Sequence, residues 1–165
     1  MSSLVLYDAF ELIILCGIVN MMLNIFWATK RKYDAERFDV PFDFGLHIGS
    51  WRILGVSTTW GGLVLSILLG LLIQKTYSDV GLVIGLGCFF GHALGSFVKR
   101  RLHIPSGAYL PVVDHGDYVI FTGAILLAMA KLSAPAYLLS IALVLAIHPL
   151  FCIAGYRLGI RANKF

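Results

Sequence analysis

Lys99, Arg100 and Arg101 follow one another, and Asp114 and Asp117 come a short stretch later. Three adjacent cations can bind phosphate oxygens, lysine as a point charge and arginine as a planar fork. The same triplet also suits the end of a membrane helix, where the helix dipole and anionic headgroups favour positive charge. Asp114-x-x-Asp117 places two carboxylates on one face of a helix start, and hard divalent cations take such oxygen ligands. Mg²⁺ commonly sits between one or two carboxylates and substrate phosphates. Acids at the first cap position and three residues on would equally suit the positive end of a helix. Joined by a segment containing Pro105, Ser106 and Gly107, the cations and the carboxylates together form the inventory that a nucleotide–metal complex needs.

Groups of this kind must be held by rigid elements, and the composition says which. Of 165 residues, 59% are apolar and only 13% charged, with a mean hydropathy of +0.86. The 22 Asp, Glu, Lys and Arg residues cannot coat a soluble domain of this size. Disorder is excluded by the excess of apolar surface. Five apolar runs stand out, at residues 9–28, 61–76, 80–98, 118–132 and 136–158. None alternates every second residue as barrel strands do, so the expected fold is an all-α integral membrane protein, a single domain of about five transmembrane helices. Two long polar stretches, 29–59 and 99–117, connect them. The fourth run is short for a full crossing.

Charge sets the expected orientation. Eleven of the 13 basic residues fall in the two polar stretches or near the C-terminus, leaving only Lys75 and Lys131 in the opposite turns. The positive-inside rule then puts the N-terminus outside and both long loops and the C-terminus in the cytoplasm. The net charge of +4 is therefore polarised across a membrane and does not mark a nucleic-acid binder. Asp8 and Glu11 stand at the start of the first run and no basic segment precedes it, so that run reads as a mature helix and not as a signal peptide.

Polar residues inside the runs have plain readings. Cys16, Cys88 and Cys152 lack CxxC spacing and read as small core residues, not as disulfides or zinc ligands. Glycines 81, 85, 87, 91 and 95 give small-xxx-small spacing for close helix approach. Asn20 and Asn24 share a helix face, which suggests hydrogen bonds to a neighbouring helix. His92 is a site candidate or a satisfied bundle histidine. His148-Pro149 marks a kink more readily than a ligand.

Ser96-Phe97-Val98-Lys99-Arg100-Arg101, followed by Gly107, Pro111 and Asp114-x-x-Asp117, resembles the CDP-archaeol synthases, archaeal relatives of the bacterial CDP-diacylglycerol synthases. The first polar stretch agrees: Pro41-Phe42-Asp43-Phe44-Gly45, Arg52-Ile53-Leu54-Gly55 and Thr59-Trp60-x-Gly62 look like the family's PxDFG, RxLG and KTWRG blocks. The chain departs from the pattern at Gly49-Ser50-Trp51, where an acid is expected before RxLG. It departs again at Thr58 and Gly61 in place of the Lys and Arg of KTWRG, and at His92 and His115, where Asp and Gln are usual. Pro105 and Ser106 stand where the bacterial enzymes carry Lys-Asp, so the archaeal branch fits better.

The resemblance implies transfer of CMP from CTP to a phosphorylated isoprenoid ether lipid, a bis-geranylgeranylglycerol phosphate, giving CDP-archaeol and pyrophosphate. It implies Mg²⁺ on Asp114 and Asp117, phosphates on Lys99, Arg100 and Arg101, and Ser96 orienting one of them. Gly107, Arg52, Thr59 and Asp43 would complete the nucleotide-binding loops. Expected partners are CTP, the lipid phosphate and membrane lipids, with a homodimer left open. A small transporter, a lipid kinase and a structural membrane subunit remain as rival readings.

Overall fold

Each apolar run becomes one helix. The structure is a computed structural model describing residues 2–35, 39–105 and 108–159. Its helices are α1 (Ser3–Lys32), α2 (Trp60–Thr76), α3 (Gly81–Arg101), α4 (Val113–Ala128) and α5 (Ala134–Arg157). Two short strands, β1 (His47–Ile48) and β2 (Trp51–Arg52), lie in the first polar stretch. α1, α3 and α5 are long and apolar enough to cross a membrane. The 17 residues of α2 and the 16 of α4 reach only about 24–26 Å at the α-helical rise.

Several helix boundaries differ from the hydropathy pattern, and two of them bear on the site. α3 carries Lys99, Arg100 and Arg101 as its last turn, because cations are favoured at the negative end of a helix. α4 starts at Val113, so Asp114 lies in its first turn and Asp117 just beyond it. The second polar stretch is therefore two helix ends with a short link, not a continuous loop. Asp114 is not the cap either. Val112 takes that position with φ +68° and no side-chain cap bond, a left-handed conformation costly for a β-branched residue.

α3 runs through the centre and packs on α2 and α4. Its glycines make this possible. A Cβ at Gly85 would come within 3.0 Å of the Gly70 Cα on α2. One at Gly91 would stand 2.6 Å from the Asp117 carbonyl oxygen, and one at Gly95 2.6 Å from the Asp117 carboxylate. The outer faces are apolar and exposed, as at Leu4, Ile14 and Ile18 of α1, Leu68 of α2 and Leu138 of α5, the surface that lipid covers in a membrane bundle. All three cysteines are buried and none forms a disulfide. Asn24 donates to the Asn20 carbonyl at 2.8 Å and to its side-chain oxygen at 3.3 Å, so this pair bonds along α1, where the spacing suggested a bond to a neighbouring helix. Pro149 stands inside α5 without ending it.

Side-chain bonds sort the helix ends into two groups. At one end the Tyr7 and Tyr77 hydroxyls meet, and Lys131 pairs with Asp79 at 2.7 Å. At the other, Lys30 at the end of α1 pairs with Asp39 in the connection to α2, and Lys99 of α3 pairs with Asp114 of α4. Both polar connections thus gather at one end of the bundle.

The first connection is organised by two carboxylates in place of an apolar core. Asp43 accepts from Arg52 Nη2 at 2.6 Å and from Gly45 N–H at 3.0 Å on one oxygen, and from Leu54 N–H at 2.9 Å on the other. This closes the loop around the β1–β2 hairpin, whose turn has Gly49 at φ +64°, as the mirror-image hairpin turns require. Asp39 accepts from Lys30, from the Thr59 hydroxyl at 2.5 Å and from Gly61 N–H at 2.9 Å. It thereby satisfies an otherwise orphaned donor of the α2 N-terminus. A Cβ at Gly61 would fall 2.8 Å from that carboxylate, which explains the missing side chain there.

Burial alone would raise both carboxyl pKa values. For Asp39 the bonds from Lys30, Thr59 and Gly61 outweigh it, and for Asp43 those from Arg52, Leu54 and Gly45 do, so both end below the usual range. A depressed folded pKa gives stability that is present above the unfolded value and lost as pH falls through the folded one. Amide exchange over residues 43–54, corrected for intrinsic rates, should therefore stay constant down to about pH 4 and accelerate below it. Asp43→Asn should show the faster exchange at every pH. For the helix packing, Gly91→Ala should cost about 1–3 kcal/mol, read as a lower thermal midpoint in detergent. Gly17→Ala, with nothing within 4 Å of its Cβ, should leave the midpoint unchanged or higher.

Candidate active site

The end of the bundle that collects both connections brings together most of the residues singled out in the sequence. Ser96, Lys99, Arg100 and Arg101 come from α3, Asp114 and Asp117 from α4, and Arg52 from β2. Lys99 Nζ donates to Asp114 Oδ1 at 2.7 Å, and Asp114 Oδ2 accepts the Leu110 N–H at 2.6 Å. That second bond ties the strained backbone before α4 to its first turn. Asp117 accepts the Tyr118 N–H at 2.7 Å on Oδ1, while His92 Nδ1 lies 3.7 Å from Oδ2. Gly91 and Gly95 allow this carboxylate to press against α3.

The cationic side is unusual in its hydrogen bonding. Arg100 is 5% exposed, and its guanidinium senses Arg52 as a like charge and Asp114 as an opposite one. Arg101 Nη2 donates to the Arg52 carbonyl at 2.7 Å, and its guanidinium lies over Phe97. The hairpin is held on α3 by this bond and by Trp51, whose ring meets His103 edge-on. The Nε atoms of Arg52, Arg100 and Arg101 are all buried and without a hydrogen-bond partner among the described residues. A buried unsatisfied charged donor is expensive, and three on neighbouring guanidiniums are what an anion site would leave when its anion is absent.

The remaining expected residues take supporting positions. Thr59 caps α2 by accepting from Gly62 N–H at 3.2 Å and donates to Asp39. Both carboxylate oxygens of Asp43 are engaged within the loop, one of them with Arg52. Ser96 is buried and lies 3.4 Å from the Thr58 hydroxyl, which donates to it. Gly107 lies outside the described residues. Sequence reasoning missed the buried Lys30 as a partner of Asp39 and Thr59, counting it only as an orienting charge, and did not single out Asp39. The signal was there: an acid set between apolar neighbours in Phe38-Asp39-Val40-Pro41.

The donor set suits a hard divalent cation. Asp114 and Asp117 present carboxylate oxygens from one face of α4, and the Lys99 ammonium against Asp114 Oδ1 shows that the position already attracts positive charge. The buried Arg100 guanidinium acts on the same carboxylate. The arrangement can hold polyphosphate oxygens on one side and a metal ion on the other, at the mouth of an apolar bundle.

The chain is similar to known proteins. The CarS-like CDP-archaeol synthase family matches residues 75–165. The chain is 34% identical over 135 residues to the CDP-archaeol synthase of Methanopyrus kandleri, covering 73% of this chain and 77% of that one. It is 30% identical over 132 residues to that of Sulfolobus acidocaldarius, covering 74% and 81%. A solved structure described as an intramembrane enzyme for archaeal membrane lipids biosynthesis superposes with a TM-score of 0.56 at 26% identity, covering 82% of this chain and 92% of that one. With its five-helix fold, its clustered basic and acidic helix ends and these likenesses, the chain belongs to the CDP-archaeol synthase family.

Proposed function

We propose that the protein transfers CMP from CTP to a phosphorylated isoprenoid ether lipid, giving CDP-archaeol and pyrophosphate. The observation that carries this reading is the group of three buried, unsatisfied guanidinium Nε–H donors of Arg52, Arg100 and Arg101, set beside the Lys99–Asp114 pair in a member of this family. An oxygen of the lipid phosphate attacks the α-phosphorus of CTP, and the bond from that phosphorus to the bridging oxygen breaks, so pyrophosphate leaves with the electron pair. The nucleophile is already anionic and needs no strong general base. The work of the protein is therefore positioning and charge neutralisation.

Arg52, Arg100 and Arg101 donate to phosphate oxygens as forks, and Ser96 orients one of these groups. Lys99 moves from Asp114 to a phosphate when substrate is bound. Asp114 and Asp117 are the residues that would hold Mg²⁺, which when bound neutralises charge on the leaving pyrophosphate. Asp43 acts through Arg52, and Thr59 and Asp39 hold the entrance of α2 against α1. We place the site on the cytoplasmic face, where CTP is available and where the basic residues predict it.

The test is direct. Purified protein with labelled CTP, Mg²⁺ and the unsaturated archaeal lipid phosphate should form labelled CDP-lipid. ATP should not replace CTP, and product formation with ATP alone would indicate a lipid kinase. Asp114→Asn and Asp117→Asn should each lower turnover by about 10²-fold or more in protein that remains folded, and near-normal rates in both would overturn their assignment. Arg100→Lys keeps the charge but loses the fork, and should weaken CTP use by about 10–100-fold, the worth of one charged hydrogen bond.

A further inference from the structure

Where the helix that carries Asp114 and Asp117 meets α5, three side chains converge that the transfer reaction does not use. His115 projects from α4, and His148 and Cys152 come from successive turns of α5. The Nδ1 atoms of the two histidines are 2.8 Å apart, and the Cys152 Sγ lies 3.4 Å from His148 Nδ1 and 3.8 Å from His115 Nδ1. A ligand atom from each thus falls within 4.8 Å of the others. Tetrahedral zinc with Zn–N of about 2.0–2.1 Å and Zn–S of about 2.3 Å sets its nitrogens about 3.3 Å apart and its sulfur about 3.6 Å from each. The two sulfur distances already match, and the nitrogens need to separate by about half an ångström.

We infer that His115, His148 and Cys152 form a binding site for a borderline-soft divalent ion, with zinc as the fitting metal. Two imidazoles and a thiolate select zinc over Mg²⁺, which demands oxygen ligands. The second nitrogen of His115 is engaged by the Tyr109 hydroxyl, the kind of outer partner that fixes which ring nitrogen faces a metal. An ion also needs a way in. His148 and Cys152 line a cavity of about 410 Å³, which Asn20 and Asn24 of α1 also border, so the fourth coordination position opens toward it. Binding takes the place of the proton between the two Nδ1 atoms, which moves to Nε2 of the same ring so that both imidazoles stay neutral, and the thiol proton is released to solvent. The ion then fastens α5 to the helix that carries Asp114 and Asp117.

The full-length protein in detergent, titrated with Co²⁺ and then Zn²⁺, tests this. Co²⁺ should give a thiolate-to-metal charge-transfer band in the near ultraviolet, and Zn²⁺ should bleach it. Cys152→Ser and His148→Gln should each abolish the band, and Tyr109→Phe should weaken binding about tenfold. Absorption spectroscopy at the zinc edge of the unmutated, zinc-loaded protein gives a readout that does not depend on variants folding. It should show one sulfur at about 2.3 Å beside nitrogen scatterers. An all-oxygen shell, which would place the ion on Asp114 and Asp117, overturns the proposal. So does saturation with Co²⁺ without a thiolate band, or a band that persists in Cys152→Ser, which would assign it to Cys16 or Cys88.

Discussion

The close contact of α3 with α4 is the constraint on which the rest depends. Gly91 and Gly95 remove the side chains that would otherwise meet the Asp117 carbonyl and carboxylate, and the two backbones approach at the end where the charges lie. Within a lipid phase no hydrophobic force drives helices together, so close van der Waals contact between small residues must supply the association. The same contact sets the spacing between the cationic last turn of α3 and the acidic first turns of α4. Packing and site geometry are here one property of a single helix face.

The first connection solves a different problem. It leaves apolar residues such as Phe44, Leu46 and Ile48 exposed and among the described residues forms only a two-stranded hairpin, yet it must hold Arg52 beside Arg100. It does so with carboxylates that collect backbone and side-chain donors, Asp43 for the hairpin and Asp39 for the junction of α1 and α2. A buried Lys30 is tolerable because Asp39, Thr59 and the rings of Phe26 and Trp27 receive it. The aromatic contacts of Phe42 with Trp60 and Phe89 then lay this loop on α2 and α3.

Much of this was legible in the sequence. The five apolar runs each became a helix because length and hydropathy are local properties. The glycine spacing of α3 foretold close packing for the same reason. The extents of α3 and α4 were less legible, since hydropathy sees Lys99–Arg101 and Asp114–Asp117 as breaks, while helix dipoles accept charge of the appropriate sign at each end. The Asn20–Asn24 spacing identified a shared face but not the partner. Cys152 shows the deeper limit: alone it reads as a small core residue, and its neighbours His115 and His148 become neighbours only when α4 and α5 fold against each other.

The resting ion pair of Lys99 with Asp114 has one more consequence. A pocket walled by apolar helices would pay heavily for a bare carboxylate or a bare ammonium at any stage of a cycle. Here each already neutralises the other before anything arrives. In the proposed reaction, Asp114 and Asp117 would take up the metal and Lys99 would turn to the phosphates, and the original pair would re-form when they leave. Under that proposal the site would behave as an ion exchanger, trading one set of opposite charges for another, so that neither filling nor emptying it would strand a charge in the membrane.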